Sequence, residues 1–151
     1  MAEPSQHHRE FTIERIYYNC PEHVWAAWSI KEKKNAWLGG EHMEMDFRPG
    51  GLERRSFRDK MGEHVNETRY FEIKDRERIV LAYSMSVNGR IHTVSLATIL
   101  FEDQNGGTKL TYHEQICVIP PSDGVEGRRH GWNAILGSLE DYLATDKRVA
   151  V

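Results

Sequence analysis

Trp132, Ile135, Leu136, Leu139 and Leu143 recur at i, i+3, i+4, i+7 and i+11. They draw one apolar stripe and predict an amphipathic α-helix. That helix is expected over Asp123–Thr145, with Gly124, Gly127 and Gly131 leaving its first turns open to question. Upstream the period changes to two. Phe11, Ile13 and Arg15 alternate with Thr12, Glu14 and Ile16, which predicts a strand over Arg9–Tyr18. Asn19-Cys20-Pro21 stops it, and Pro21 suits a first helical turn, where its missing N–H is not needed. Two short helices follow, Pro21–Trp28 and Lys31–Trp37, with Glu22 and Glu32 near their starts.

From Met43 onward the pattern predicts strands separated by turns. Met43, Met45 and Phe47 define the second strand, and Arg48-Pro49-Gly50-Gly51 a turn. Leu52–Arg58, His64–Ile73 and Ile79–Met85 are the next three. Asn88-Gly89 is the strongest two-residue hairpin signal in the chain. Ile91–Phe101 and Thr108–Val118 complete the set, and Pro120-Pro121 breaks off the sheet. The predicted order is β-α-α-β-β-β-β-β-β-α. It describes an α+β domain, 1–151, with a seven-stranded antiparallel sheet wrapped around the C-terminal helix and two short helices after strand 1. Residues 1–8 are expected to be a disordered tail, His7 and His8 included.

Composition narrows the function. The chain has 151 residues, four Trp, five Phe and six Tyr, enough bulk for one core. A formal charge of −3 without long runs of one sign argues against a nucleic-acid surface. No apolar stretch approaches a membrane span, and a cytoplasmic location is expected. Cys20 and Cys117 do not make a disulfide framework. Neither has a neighbouring His in sequence, although a spatial neighbour stays open. No two histidines sit at i, i+4 on a helix and no Cys–His cluster has zinc spacing, so no metal and no cofactor are expected. No nucleophile elbow or phosphate loop is present, and no catalytic residue is assigned.

Strand alternation assigns the inner wall. If Phe57 faces the helix, so do Arg55 and Glu53. If Tyr70 does, so do Thr68, Asn66 and His64. Leu81 and Tyr83 share the fifth strand's inner face, Ala97 lies on the sixth, and Tyr112 and Glu114 lie on the seventh. Trp132, Leu136 and Leu139 would form the floor of any pocket. Trp28 and Trp37 are expected either in the core or as a mouth. Aromatic and aliphatic groups mixed with a few polar ones are the usual lining of a small-molecule site. Arg55 could hold a carboxylate or enolate in a two-pronged hydrogen bond. Three structural readings stand beside this: Arg55 paired with Glu114, Arg55 paired with Glu53, or the third strand lying at an edge with one wet face.

The element order and its punctuating residues resemble the START-like superfamily (SRPBCC), a helix-grip fold. Within it they resemble the group of homologues of the activator of heat-shock protein 90 ATPase. The residues that carry the likeness are Pro21-Glu22-His23-Val24-Trp25-Ala26-Ala27-Trp28, Trp37, Asp46-Phe47-Arg48-Pro49-Gly50-Gly51, Tyr70-Phe71-Glu72-Ile73, Glu77-Arg78-Ile79-Val80, Gly107-Thr108-Lys109-Leu110-Thr111 and Gly131-Trp132. The resemblance implies a cavity between sheet and helix that binds a small hydrophobic or amphiphilic ligand. It also admits a cyclase-, aromatase- or hydrolase-like enzyme, with Arg55 on an oxyanion and Tyr83, His64 or Glu114 moving protons. A chaperone-interacting, stress-response module is the third reading. There Lys31, Lys33 and Lys34 would meet an acidic partner, or simply be solvated. A homodimer stays open. The chain departs from the group's pattern at Lys33 and Lys34, where apolar residues are usual. It departs again at Glu53 and Arg55, where large apolar groups point inward, and near Thr68, where Gly is usual.

Overall fold

A computed structural model describes residues 7–145. The elements are β1 His7–Tyr17, α1 Pro21–Ser29, α2 Lys31–Leu38, β2 His42–Met45, β3 Leu52–Asp59, β4 Gly62–Lys74, β5 Arg78–Val87, β6 Arg90–Gln104, β7 Gly107–Val118 and α3 Gly124–Thr145. They form one seven-stranded antiparallel sheet in the order β1-β7-β6-β5-β4-β3-β2. This is the expected helix-grip fold.

Two boundary differences carry information. His7 and His8, assigned to the tail, instead open β1 by pairing with Val118 and Cys117; residues 1–6 of that expected tail lie outside the described residues. The second strand ends at Met45, before Phe47. Phe47 nonetheless packs inward, edge-on to Trp25 at 5.8 Å and to Tyr70 at 5.0 Å between ring centroids.

The core lies between the concave sheet face and the helices. Phe11, Ile13 and Tyr17 of β1 meet Ile99, Phe101, Leu110 and Tyr112. Leu136, Leu139 and Leu143 of α3 are fully buried against them. Polar contacts fix the helix to β1 and the loop after it. The Tyr17 hydroxyl donates to the Leu136 carbonyl (3.0 Å), and Arg15 Nη2 donates to the Asn133 carbonyl (2.8 Å). The Asn19 amide donates to the Leu143 carbonyl (3.4 Å). The third strand is not an edge strand: β2 covers it, so the wet-face reading fails.

Candidate functional site

Cross-strand register organises the site. Arg55 of β3 stands opposite Asn66 of β4, and Asn66 stands opposite Met85 of β5. One row deeper, Glu53 faces Thr68 and Thr68 faces Tyr83. One row outward, Phe57 faces His64, their rings parallel with centroids 4.5 Å apart, and His64 faces Val87. Side chains directly opposite on one face are near neighbours, so the wall passes from charged at depth to aromatic at the rim.

Helix α3 leaves space over this wall. Its facing positions include Gly127 and Gly131, which present no side chain. A Cβ built on Gly131 would meet nothing within 4 Å. The result is a cavity of about 410 Å³. Arg55, Phe57, His64, Asn66, Tyr83, Met85 and Val87 line its sheet side. Gly127, Arg128, Gly131, Trp132 and Ile135 line its helix side. Met61, Arg90, Pro121 and Asp123, all exposed, mark its mouth. Behind it lies a chamber of about 40 Å³ lined by Trp28, Lys34, Glu53, Thr68, Leu81 and Tyr112. Arg55, Asn66, Tyr83 and Trp132 border both spaces. The larger volume falls within the range of ligand pockets, whereas the inner one has room for a few waters or one small polar group.

Of the residues assigned to the site from sequence, Trp28, Arg55, Phe57, His64, Asn66, Leu81, Tyr83, Tyr112 and Trp132 line one space or the other. Trp37, Tyr70, Ala97, Glu114, Leu136 and Leu139 line neither. Trp28 and Trp37 do not form a mouth. Both are buried with centroids 4.9 Å apart, and the Trp37 indole donates to the Ala27 carbonyl (2.8 Å). Leu136 and Leu139 are filled core rather than pocket floor, and Ala97 on the sixth strand is core as well. Helix residues on the adjoining face, Arg128, Gly131 and Ile135, take the floor's place.

Neither expected partner of Arg55 is its hydrogen-bond partner. Glu53 accepts from Lys34 Nζ at 2.8 Å and from the Tyr70 hydroxyl at 2.5 Å. The Lys34 ammonium also lies 5.4 Å from the Trp28 ring centroid. The two departures from the family pattern therefore answer each other, a buried cation on α2 meeting a buried anion on β3. Burial alone would raise the Glu53 pKa, but Lys34 and the Tyr70 hydrogen bond outweigh it and hold the carboxyl below its ordinary value. Lys34 is accordingly not available to a partner's surface; of the three lysines only Lys31 is exposed, and Lys33 is half-buried.

Glu114 is held by a residue that the sequence reading missed, Arg128. Its Nη1 donates to Glu114 Oε2 (2.8 Å) and to the Tyr83 hydroxyl oxygen (2.8 Å), and its Nη2 donates to Thr93. Ser95 donates to Glu114 Oε2 (2.5 Å), while Tyr83 and Tyr112 donate to Oε1 (2.7 and 2.6 Å). Trp132 Nε1 completes the cluster by donating to the Tyr83 oxygen (3.1 Å), its ring stacked on Tyr112 at 4.2 Å. Burial, then the Glu114 charge, pushes the Tyr83 hydroxyl well above its ordinary pKa. The signal for Arg128 was present in the spacing: it lies one turn before Trp132, on the same stripe.

Arg55 is what remains uncompensated. Its only side-chain hydrogen bonds among the described residues run from Nη1 to the Leu38 and Gly39 carbonyls, at 3.4 and 3.3 Å. Desolvation lowers its pKa despite the nearby Glu53 charge. Asn66 Oδ1, His92 Nδ1 and Trp28 Nε1 are buried and lack hydrogen-bond partners among the described residues. The first two belong to residues lining the larger cavity and the third to one lining the inner chamber. Burial, then the Arg128 charge, lowers the His92 pKa.

Elsewhere, Cys20 does meet a histidine. Its sulfur lies 3.1 Å from His23 Nδ1, because Cys20 occupies the N-cap of α1 and His23 lies in the first turn. Among the described residues no three His, Cys, Asp or Glu side chains gather as a metal site. No helix among them is long and apolar enough to cross a membrane.

A sheet gripping a long helix around a partly open, mixed-polarity hollow defines the class of small helix-grip domains. More specifically, residues 20–144 match the family of Activator of Hsp90 ATPase homolog 1-like proteins, and the chain belongs to that family. It is 32% identical to an uncharacterized protein from Rhizobium leguminosarum, over 94% of this chain and 98% of that one, with a TM-score of 0.90. The Mll3558 protein from Rhizobium loti is also 32% identical, over 93% of this chain and 100% of its own, with a TM-score of 0.87. CalU16 from Micromonospora echinospora shares the fold at 16% identity, over 92% of this chain and 78% of its own, with a TM-score of 0.68. Comparison with curated proteins found no match.

Proposed function

We propose that this protein binds a small hydrophobic or amphiphilic molecule in the cavity between β3–β5 and α3. The observation that carries the reading is the hollow of about 410 Å³ beneath Gly127 and Gly131. It is apolar around Phe57, Met85, Val87 and Ile135, and two of its lining residues, Asn66 and His92, carry a side-chain atom with no hydrogen-bond partner among the described residues. A buried polar atom without a partner costs about 1–3 kcal/mol, so a ligand or trapped water that supplies one is favoured.

An enzymatic reading has less support from the same geometry. Tyr83 and Glu114, the groups suggested for proton transfer, spend their hydrogen-bonding capacity on each other, Arg128, Ser95 and Tyr112. The arrangement suits a fixed wall better than a proton relay.

Native mass spectrometry of the protein purified from its own host tests the proposal, together with a cavity-filling variant. Gly131→Phe projects a ring into the hollow from a position with open space around it. Retention of a small molecule by the natural protein and its loss from the folded Gly131→Phe variant are expected. An empty natural protein that also takes up no amphiphile on titration would overturn the reading.

A further inference from the structure

Resting on the cavity reading, we infer that the ligand is an anionic amphiphile whose carboxylate, or an enolate of the same shape, is held by Arg55 and Asn66 as a cross-strand pair.

The charges around the cavity single out Arg55. Arg128 is neutralised by Glu114 at 2.8 Å, and Lys34 by Glu53 at 2.8 Å. His64 contacts Asp59 at 2.8 Å. Arg90 and Asp123, of opposite sign, both stand exposed at the mouth, where solvent screens them. Glu53, the anion nearest Arg55, is already committed to Lys34 and Tyr70. Arg55 thus brings a half-buried cation to the cavity wall with only two long side-chain bonds to carbonyls in return. A half-buried cation with weak partners gains from a close anion, and an arriving carboxylate supplies one. The planar guanidinium suits it because two of its N–H groups match two carboxylate oxygens.

Asn66 supplies the second point. It stands directly opposite Arg55 and its side-chain oxygen has no partner. An amide carries donor and acceptor ends, so Asn66 Nδ2 can donate to the same head group. The ligand's apolar body then extends past Met85, which stands opposite Asn66, toward Ile135 and the Phe57–His64 stack. One orientation satisfies both polarities, with the head at the deep rows and the body toward the mouth.

Isothermal titration of the full chain with octanoate, octanol and octylammonium tests this, because the three have eight carbons each and differ chiefly in the charge of the head. A charge-assisted bond predicts that octanoate binds about tenfold or more tighter than octanol, with octylammonium weakest. Arg55→Met should bring octanoate and octanol to within about twofold of each other. Asn66→Asp, a second and nearly isosteric variant, sets an anion beside the head; it should weaken octanoate selectively and leave octanol unchanged. Equal binding of octanoate and octanol by the natural protein overturns the anion while the cavity reading stands. Preference for octanoate that survives both folded variants overturns the assignment to Arg55 and Asn66. Binding of none of the three overturns the cavity reading along with the inference.

Discussion

Lys34 and Glu53 lie 2.8 Å apart with side chains only 5% and 6% exposed, one on α2 and the other on β3. The pair joins the helical cap to the sheet in a place where apolar packing would serve as well. Removing one partner of such a pair strands a buried charge and costs about 3–5 kcal/mol, whereas replacing both by apolar groups is often neutral or stabilising. Lys34→Met is therefore expected to destabilise strongly and Lys34→Met/Glu53→Met to recover most of the loss. A double-mutant cycle by chemical denaturation measures the coupling. Additive effects of the single substitutions would refute the pairing.

The same pair has a pH signature. The Glu53 pKa is lowered in the folded state, where burial is outweighed by Lys34 and Tyr70. A lowered pKa contributes stability above the unfolded value of 4.5, and that stability is lost as pH falls through the folded value. In Lys34→Met burial dominates instead, the Glu53 pKa rises, and the sign reverses: acid then favours the folded state through Glu53. The stability gap between the natural protein and Lys34→Met should narrow from neutral pH toward acid. Exposed carboxylates act equally in both proteins and cancel in the difference. A constant gap, measured by urea denaturation across that range, contradicts the assignment.

Gly50 and Gly51 adjoin in sequence but are constrained differently. Gly50 has φ +82° and open space around its missing side chain, so Gly50→Ala is expected to cost about 1 kcal/mol through backbone strain. A Cβ on Gly51 would sit 2.0 Å from the Asp46 carbonyl oxygen and 2.9 Å from that of Arg48. Backbone cannot yield like a flexible side chain, so Gly51→Ala should cost about 3 kcal/mol or more. The turn is also bonded to β4, Gly50 N–H to the Tyr70 carbonyl (2.8 Å) and Tyr70 N–H to the Gly51 carbonyl (3.1 Å). Damage there should reach the Tyr70–Glu53 contact. Thermal denaturation ranks the two variants, and equal losses would refute the steric argument.

Most of the architecture was legible because period-two alternation and turn residues report directly on which face a strand buries. Arg55, Phe57, His64, Asn66 and Tyr83 follow from that parity alone. Lys34 was misread because a lysine on a short polar helix is ordinarily solvated. Its position three residues before Trp37, on the same helical face, was the available clue. Arg128 was overlooked because the stripe on α3 was traced through apolar residues only. Gly127 and Gly131 raised doubt about the helix start, yet both lie within α3; Gly131 leaves room for the cavity, while the Asp123 side chain fills the space beside Gly127. His92 and the Pro121–Asp123 segment carry no periodic signal. They reach the mouth through the register shift after Met85 and the chain's return from β7 to α3.

Alkaline pH probes the buried hydroxyls together. Tyr17 donates to a carbonyl of α3, Tyr70 donates to Glu53, and Tyr83 and Tyr112 donate to Glu114. Ionising any of them removes a donor, and for Tyr70, Tyr83 and Tyr112 it also places an anion against a carboxylate. Burial is the largest cause of the raised pKa in each, ahead of the neighbouring charges. A raised folded-state pKa gives stability that is full below the unfolded value of 10.0 and is lost as pH climbs toward the folded one. In a spectrophotometric titration these hydroxyls should therefore remain protonated past their ordinary pKa. They should ionise in one cooperative step that coincides with loss of the near-ultraviolet circular dichroism. Gradual ionisation of all the tyrosines near pH 10, with that signal intact, would show that the Glu114 and Glu53 clusters are open to solvent.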